Sequence, residues 1–488
     1  MIYNWCNQFL SNLPNQFRKG CVIIKYKEIA SYIRNKIISG DWYYGMRIPT
    51  QRQLANQFDV NRVTIIKSLE ILEAEGFVFT KIGSGTYVND YLNENFVSNK
   101  WSEMMDWSLS LRSQYTVQLI NKLETDNTYI HISKGELGND LIPHLELKNA
   151  MTNVSNYIGE LSFGYNNGYG YIKLRELIAE RLSLEGINVT SDNVLITSGA
   201  LHAIQLLVTG FLSRNTIIFS NTPSYIDSTH VFDYLNMKKV KIPYNNFTEF
   251  YNIINRYPGT KEKAIYVDPT FNNPTGSSLT LKEKENIMAC SKLHNIPVIE
   301  DDIYRDIWID SKPECPIKTL DTSGNVIHIS SFSKSIAPAI RIGWAIASEK
   351  IIEQLADIRM QIDYGSSILS QMVVYELLKN GDYDNHINRL RKILKDKRNY
   401  MLNILNKDFS NIAQWNVPEG GFFIWLTFEK DINIKRLFSE LINKEKILLN
   451  PGFIYGSEDN TVRLSYAFES MENIDYALQK IKQYVMKN

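Results

Sequence analysis

SSFSKSIAPAIRIGW, residues 330–344, sets a lysine among groups that suit a phosphate. Ser331 and Ser333 stand just before Lys334 as hydroxyl donors, and Arg341 follows seven positions later with a guanidinium fork. A lysine amine condenses with an aldehyde, and pyridoxal 5′-phosphate is the aldehyde cofactor that proteins hold this way. Lys334 is therefore a candidate Schiff-base lysine, with Ser331, Ser333 and Arg341 around the phosphate. Alone, the string fits a solvated strand-end loop equally well. The order of the segments around it decides between the two.

From about residue 110 onward, helical stretches alternate with short β-rich runs: VLITS, TIIFS, KAIYVD, IPVIED, NVIHISS and RIGWAIA. Such alternation predicts an α/β domain with a mainly parallel sheet. The loops after these runs carry the polar groups. Ser198-Gly199-Ala200 opens the helix LHAIQLLVTGFL, and a small-residue turn there aims backbone N–H groups at an anion. Tyr225 in NTPSY offers an aromatic face for a pyridine ring, and Asn273 in Asn-Pro-Thr-Gly can bond a phenolate oxygen. Asp301 ends VIED and Tyr304 follows three residues on. A buried carboxylate opposite a pyridine nitrogen keeps it protonated and makes the ring an electron sink. Arg463 in TVRLSYAFES can clamp a carboxylate. Each of these has an ordinary structural reading by itself; in this order they converge on one cofactor.

The N-terminal stretch reads differently. Residues 1–88 hold 11 Lys and Arg against 6 Asp and Glu, although the whole chain is neutral. A basic end on an otherwise acidic chain points to nucleic acid. In YKEIASYIRNKIISG, Tyr26, Ile29, Ala30, Ile33 and Ile37 recur at helical spacing and Gly40 gives a stop. Thr50 with Gln53 forms a capping box for a second helix whose inner face is Leu54, Ala55 and Phe58. Asn61 caps a third helix, with Val63, Ile66, Leu69 and Leu72 toward the core and Gly76 closing it. Phe77–Thr80 and Thr86–Val88 complete a hairpin through Gly83-Ser84-Gly85. This is a winged helix-turn-helix plan, in which the third helix enters the major groove of double-stranded DNA. Arg62 and Thr64 occupy its leading turn, Arg52 begins the preceding helix, and Lys81 sits on the wing beside Gly83 and Gly85. The competing reading is a protein-contact module with ordinary surface arginines.

At 488 residues, 44% hydrophobic and 22% charged, the chain is globular and too long for one ordinary domain. No apolar run approaches a membrane span, and the start lacks the pattern of a signal peptide. Cys6, Cys21, Cys290 and Cys315 show no metal-ligand clustering, which fits thiols in a reducing cytoplasm and no metal site.

RIPTQRQLANQFDVNRVTIIKSLEILEAEGFVFTKIGSGTYV resembles the GntR-family DNA-binding domain, and that resemblance carries DNA-contact roles onto Arg52, Arg62, Thr64, Gly83 and Gly85. FGYNNGYGYIKLRE, TSGA, NTPSY, NNPTG, EDDIY, SSFSK…APAIRIGW, PEGGFFIWL and VRLSYAFES resemble the fold type I aminotransferases. The resemblance implies Lys334 as the Schiff-base lysine, Asp301 as pyridinium partner, Asn273 and Tyr304 on the ring oxygen, and Tyr225 stacked. It places Ser331, Arg341 and the Gly199–Ala200 backbone on the phosphate and Arg463 on an α-carboxylate. Tyr165 matches a tyrosine that reaches the neighbouring subunit's phosphate, which implies a homodimer. Leu201 and Ala339 depart from the commoner Gln and Gly.

The two resemblances joined are the architecture of the MocR subfamily of transcriptional regulators, some of which control drug-efflux genes. The expected chain is multidomain: an extension at 1–23, a winged helix at 24–89, a linker at 90–109 rich in Trp and Met, and an α/β fold type I aminotransferase-like domain at 110–488. The expected function is regulation at efflux or transport promoters, with an amine or amino acid displacing Lys334 and biasing the DNA-binding heads. The alternative is a working aminotransferase localised by its N-terminal module. A regulator that uses the fold without cofactor would leave Asp301, Asn273 and Lys334 unexplained.

Overall fold

The structure, a computed structural model, describes residues 22–38, 42, 46–81, 84–88, 115–156, 164, 167–258, 262–430, 432–457 and 460–487. The chain divides into two compact units, Met1–Leu119 and Ile120–Asn488. Cys6, Cys21, Tyr165, Gly83, most of the 1–23 extension and the whole 90–109 linker fall outside the described residues.

The first unit holds α1 (Val22–Ile38), α2 (Gln51–Phe58), α3 (Arg62–Ala74), β1 (Val78–Lys81) and β2 (Gly85–Val88). Thr50 caps α2 through the predicted box, its Oγ accepting from Gln53 N–H at 3.3 Å while Gln53 Oε1 accepts from Thr50 N–H at 2.8 Å. Asn61 caps α3 by accepting from Thr64 N–H at 2.9 Å. The core gathers Ile29, Ala30, Ile33, Ile37, Leu54, Ile65, Leu69 and Leu72. One expectation is corrected here. Val63 is 58% exposed and Ile66 lies at the margin, whereas Ile65 and Ser68 are buried beside Leu69 and Leu72. Steps of three residues drift about 60° each around a helix, so a 63/66/69/72 row winds off the face that 65, 68, 69 and 72 share. The wing gains a further bridge from Arg47 to Tyr87, and Ile48 N–H donates to Thr86 O at 3.0 Å.

In the second unit α4 (Ile172–Leu184) precedes β3 (Val194–Thr197), α5 (Ala200–Gly210), β4 (Ile217–Ser220), β5 (Lys238–Lys241) and β6 (Lys263–Val267). Then follow α6 (Leu281–His294), β7 (Val298–Asp301), β8 (Val326–Ser331), β9 (Gly343–Ile346), α7 (Glu349–Met360), α8 (Ile368–Lys379) and α9 (Asp382–Asp408). The sheet is seven-stranded in the order β3-β9-β8-β7-β6-β4-β5. β9 is antiparallel to both neighbours and the other pairings are parallel. All six β runs singled out in the sequence enter this sheet, and the polar edge strand β5 is the one they lacked. Interior strands read as unbroken apolar runs because both faces are covered. Ile218, Tyr266 and Ile299 face one core, and Ile217, Phe219, Ile265 and Val298 face the other.

The chain closes with a four-stranded antiparallel sheet, order β10-β11-β13-β12, from β10 (Ala413–Trp415), β11 (Phe423–Phe428), β12 (Asn450–Pro451) and β13 (Thr461–Ser465). The helix α10 (Met471–Lys487) follows it. Among the described residues no helix is long and apolar enough to cross a membrane.

Candidate active site and nucleic-acid interface

Ser331 ends β8 and pairs with Gly343 at the start of β9, so the loop between them leaves and re-enters the sheet at one edge. Phe332 N–H closes its neck on Ile342 O at 3.0 Å. Lys334 and Arg341 therefore ride on one anchored loop at the carboxyl ends of the parallel strands, where open α/β sheets bind ligands. Ser331 Oγ donates to Ile342 O at 3.0 Å and accepts from Ser333 N–H at 3.1 Å. Arg341 takes a left-handed φ of 52°; its Nη2 donates to Ser198 O at 2.6 Å and its Nη1 to Ser333 Oγ at 3.5 Å. Gly199 caps α5 at φ 93°, and a Cβ there would stand 2.8 Å from Arg341 Nη2. Only glycine lets the guanidinium lie against the helix N-terminus that Ala200 opens. Two hydroxyls, a guanidinium and free helix amides make a donor-rich cradle for an oxyanion. Beside it Lys334 Nζ donates to Gly135 O at 2.7 Å, and burial lowers its pKa against the opposing pull of Glu136.

Asp301, 3% exposed, ends β7 on the same sheet face. Its Oδ2 accepts from Tyr266 Oη at 2.8 Å, and its Oδ1 is buried without a protein partner. Burial pushes its pKa up to about 6, with the Tyr266 hydrogen bond pulling the other way. Burial likewise takes the Tyr225 phenol up to about 12, so it stays neutral. Tyr304 is buried with its ring edge-on to Phe422 and Phe423 at 5.6 and 5.8 Å. Asn273 donates its N–H to Asp268 Oδ2 at 2.9 Å, and its Oδ1 accepts from Arg463 Nη1 at 2.7 Å. Arg463, on β13, also donates to Ser133 O and lies 4.0 Å from the Phe423 ring centroid. The group read as a ring-oxygen ligand and the group read as a carboxylate clamp thus hold each other directly, with Arg463 Nε left unpartnered.

Sequence reasoning missed four participants. Tyr266 read as strand filling in KAIYVD, yet it orients Asp301. Ser133 and Gly135 supply carbonyls to Arg463 and Lys334. Asp268 follows a β run just as Asp301 ends one, and that parallel was the available signal. Burial and Asp301 raise its pKa well above the usual range, and its Oδ1 is also unpartnered.

On the first unit, Arg52 and Arg62 are exposed, and Arg62 Nε donates to Gln51 Oε1 at 2.9 Å, tying the starts of α3 and α2. Thr64 sits elsewhere than expected. It is 6% exposed and its Oγ donates to Asn61 Oδ1 at 2.7 Å, which turns it into the cap while Val63 takes the outward position. Lys81 lies over the Phe79 and Tyr87 rings at 5.6 and 5.4 Å. Gly85 is explained by a group the sequence reading passed over. At φ 126°, a Cβ at 85 would come within 2.7 Å of Arg47 Nε, so the space beside this glycine belongs to Arg47.

Comparison with known proteins matches both units. Residues 132–481 match the family "Aminotransferase class I and II", and residues 25–88 match "Bacterial regulatory proteins, gntR family". The HTH-type transcriptional regulator NorG of Staphylococcus aureus (strain N315) is 67% identical over 442 residues, 91% of this chain and 100% of that one. The uncharacterized HTH-type transcriptional regulator YdfD of Bacillus subtilis (strain 168) is 40% identical over 462 residues, covering 94% and 95%. Among solved structures, Pyrococcus horikoshii kynurenine aminotransferase, in complex with PMP, superposes with a TM-score of 0.73 at 25% identity, covering 80% of this chain and 98% of that one.

Proposed function

The chain belongs to the aminotransferase class I and II family with a gntR-type helix-turn-helix unit ahead of it, and from that premise we propose a promoter-bound sensor of an amine or amino acid. It is an HTH-type transcriptional regulator with an aminotransferase-like domain. In this reading residues 24–89 bind double-stranded operator DNA, residues 90–109 link, and residues 110–488 bind pyridoxal 5′-phosphate. Efflux or transport promoters are the targets that the sequence resemblance favours.

Asp301 carries the cofactor half of the proposal. A buried carboxylate with one oxygen held by Tyr266 and the other unpartnered, on the side of the sheet that carries Lys334 and the phosphate cradle, suits a pyridine N–H. When bound, the cofactor supplies an electrophilic carbonyl and an electron-accepting ring. Asp301 Oδ1 holds the ring-nitrogen proton. Ser331, Ser333, Arg341 and the Gly199–Ala200 amides take the phosphate, Tyr225 stacks, and Asn273 and Tyr304 take the ring oxygen. Lys334 presents an amine whose proton burial has loosened, and Arg463 takes a carboxylate by exchanging its hold on Asn273. PMP in the kynurenine aminotransferase supports this choice of cofactor. Tyr165 completes the phosphate site across a homodimer, and the regulator acts in the cytoplasm, where its DNA lies.

A second reading, a turning-over aminotransferase, is favoured by the same complete donor set. Promoter footprinting with the full chain, with and without pyridoxal 5′-phosphate and candidate amines, is run beside a keto-acid assay. A footprint altered by cofactor plus amine without sustained keto-acid release is the expected result. Keto-acid turnover with no footprint at low salt reverses the assignment.

A further inference from the structure

Successive residues of a strand face opposite sides of a sheet. Asp301 therefore faces the site above, while Asp302, Ser330 and Trp344 turn to the other side. There they line a separate cavity of about 340 Å³, together with residues of α4 and the first turn of α9. That volume is at the lower end for small-molecule sites. One wall is apolar, from Ile178, Leu182, Phe332 and Trp344.

The polar wall is incompletely satisfied. Each nitrogen of Arg305 has a partner, with Glu185 on Nε at 3.1 Å, Asp302 Oδ2 on Nη1 at 3.3 Å and Glu314 O on Nη2 at 2.8 Å. Arg181 pairs with Asp384 at 2.9 Å. Asp302 is 1% exposed, and its second oxygen, Oδ1, has no protein partner. Trp344 Nε1, also buried, has none either. Of the four carboxylates in the lining, Glu185 is paired with Arg305 and Lys312, Asp384 with Arg181, and Asp306 accepts from the Tyr383 hydroxyl, which leaves Asp302 Oδ1 as a buried acceptor without a partner. A metal ion fits poorly. Glu300, Asp302 and His328 bring ligand atoms within 4.8 Å of one another, but the Glu300 oxygens already accept from the Ile317 and Lys318 amides and pair with His328 Nδ1.

We propose that this cavity is a second small-molecule site, for a protonated amine carrying a compact apolar or aromatic body, with Asp302 Oδ1 as the cation's acceptor. Leaving a buried donor or acceptor unmade is costly, and a cationic N–H is the group that a buried carboxylate oxygen most strongly prefers. The site is independent of the cofactor. It lies on the opposite face of the sheet from the cofactor side and shares with it the ends of β7 and β8, the start of β9 and, through Phe332, the loop that carries Lys334.

N,N-dimethyl-2-phenylethylamine is a suitable probe, because a tertiary amine forms no covalent link with an aldehyde and so ignores the Lys334 side. Calorimetric titration of the full chain is run with this amine, with 3-phenylpropanol and with 3-phenylpropionate. The amine is expected to bind tightest and the carboxylate not at all. Asp302→Asn is expected to weaken the amine about tenfold or more, and Lys334→Ala to leave it within about twofold. Trp344→Phe replaces the indole with a smaller phenyl and removes its N–H; it serves if Asp302→Asn folds poorly, and by withdrawing part of the apolar wall it should weaken the amine about threefold or more. No heat at millimolar amine, equal binding of all three probes, or binding indifferent to both Asp302→Asn and Trp344→Phe overturns the proposal. A loss of amine binding in Lys334→Ala would move it to the cofactor side and overturn it too.

Discussion

Replacing Asp301 with alanine tests the proposed cofactor reading most directly. Burial moves this carboxyl from 3.8 to about 6, which sets the charged form back by about 3 kcal/mol. A pyridinium arriving at Oδ1 removes that penalty and adds a charge-assisted hydrogen bond. Removing the carboxylate should therefore raise the Kd for pyridoxal 5′-phosphate about 100-fold, read by visible absorbance and tryptophan quenching of the apoprotein. The pH dependence has a definite sign. Asp301 in the empty site is ionised only above about pH 6, so cofactor affinity falls as pH drops through that value, and Asp301→Ala flattens this part of the profile. Stability runs the other way. A raised folded-state pKa means that ionised Asp301 costs the apoprotein stability above pH 6, a cost absent below about 4. The variant's melting temperature relative to the parent should therefore be more favourable at pH 8 than at pH 4. A cofactor affinity within about twofold of the parent across this range would refute the assignment of Asp301.

Lys334→Ala should abolish the adduct trapped by borohydride; an adduct that persists places the covalent site on another lysine. Gly199→Ala should cost about 1–3 kcal/mol in strain at φ 93°, ψ 167° and also displace Arg341, so phosphate-bearing cofactor should weaken more than pyridoxal itself. Binding of the full chain to operator DNA should fall steeply with salt as counterions are released. Arg62→Ala should weaken it by about 1–3 kcal/mol with blurred base preference if the arginine reads a base edge, and uniformly on all sequences if it grips phosphate. Thr50→Ala removes the capping box and should cost about 1 kcal/mol, seen as faster amide exchange confined to the first unit.

The sequence alone determined what depends on local spacing. Capping residues, β runs and the turn Ser198–Ala200 act within a few positions, so Thr50, Asn61 and the six apolar strand segments could be placed before any tertiary contact was known. Asp301 and Lys334 were legible for a related reason, since each stands at or just past a β run, where a parallel sheet gathers its ligand groups. Spacing failed where one residue decides a direction. Counting in threes along α3 put Val63 inside, and a hydrophobic residue in the leading turn gave no sign that Thr64 would turn inward to Asn61. Tertiary structure alone decided the partnerships between distant segments: Tyr266 with Asp301, Arg463 with Asn273, Arg47 against Gly85. It also set Asp301 and Asp302 on opposite faces of one sheet, one toward Lys334 and one toward a second cavity. Adjacent acids look alike in a string of letters. Each keeps one unsatisfied oxygen, and which side of the sheet that oxygen faces depends on register, which is fixed by the packing of both faces at once.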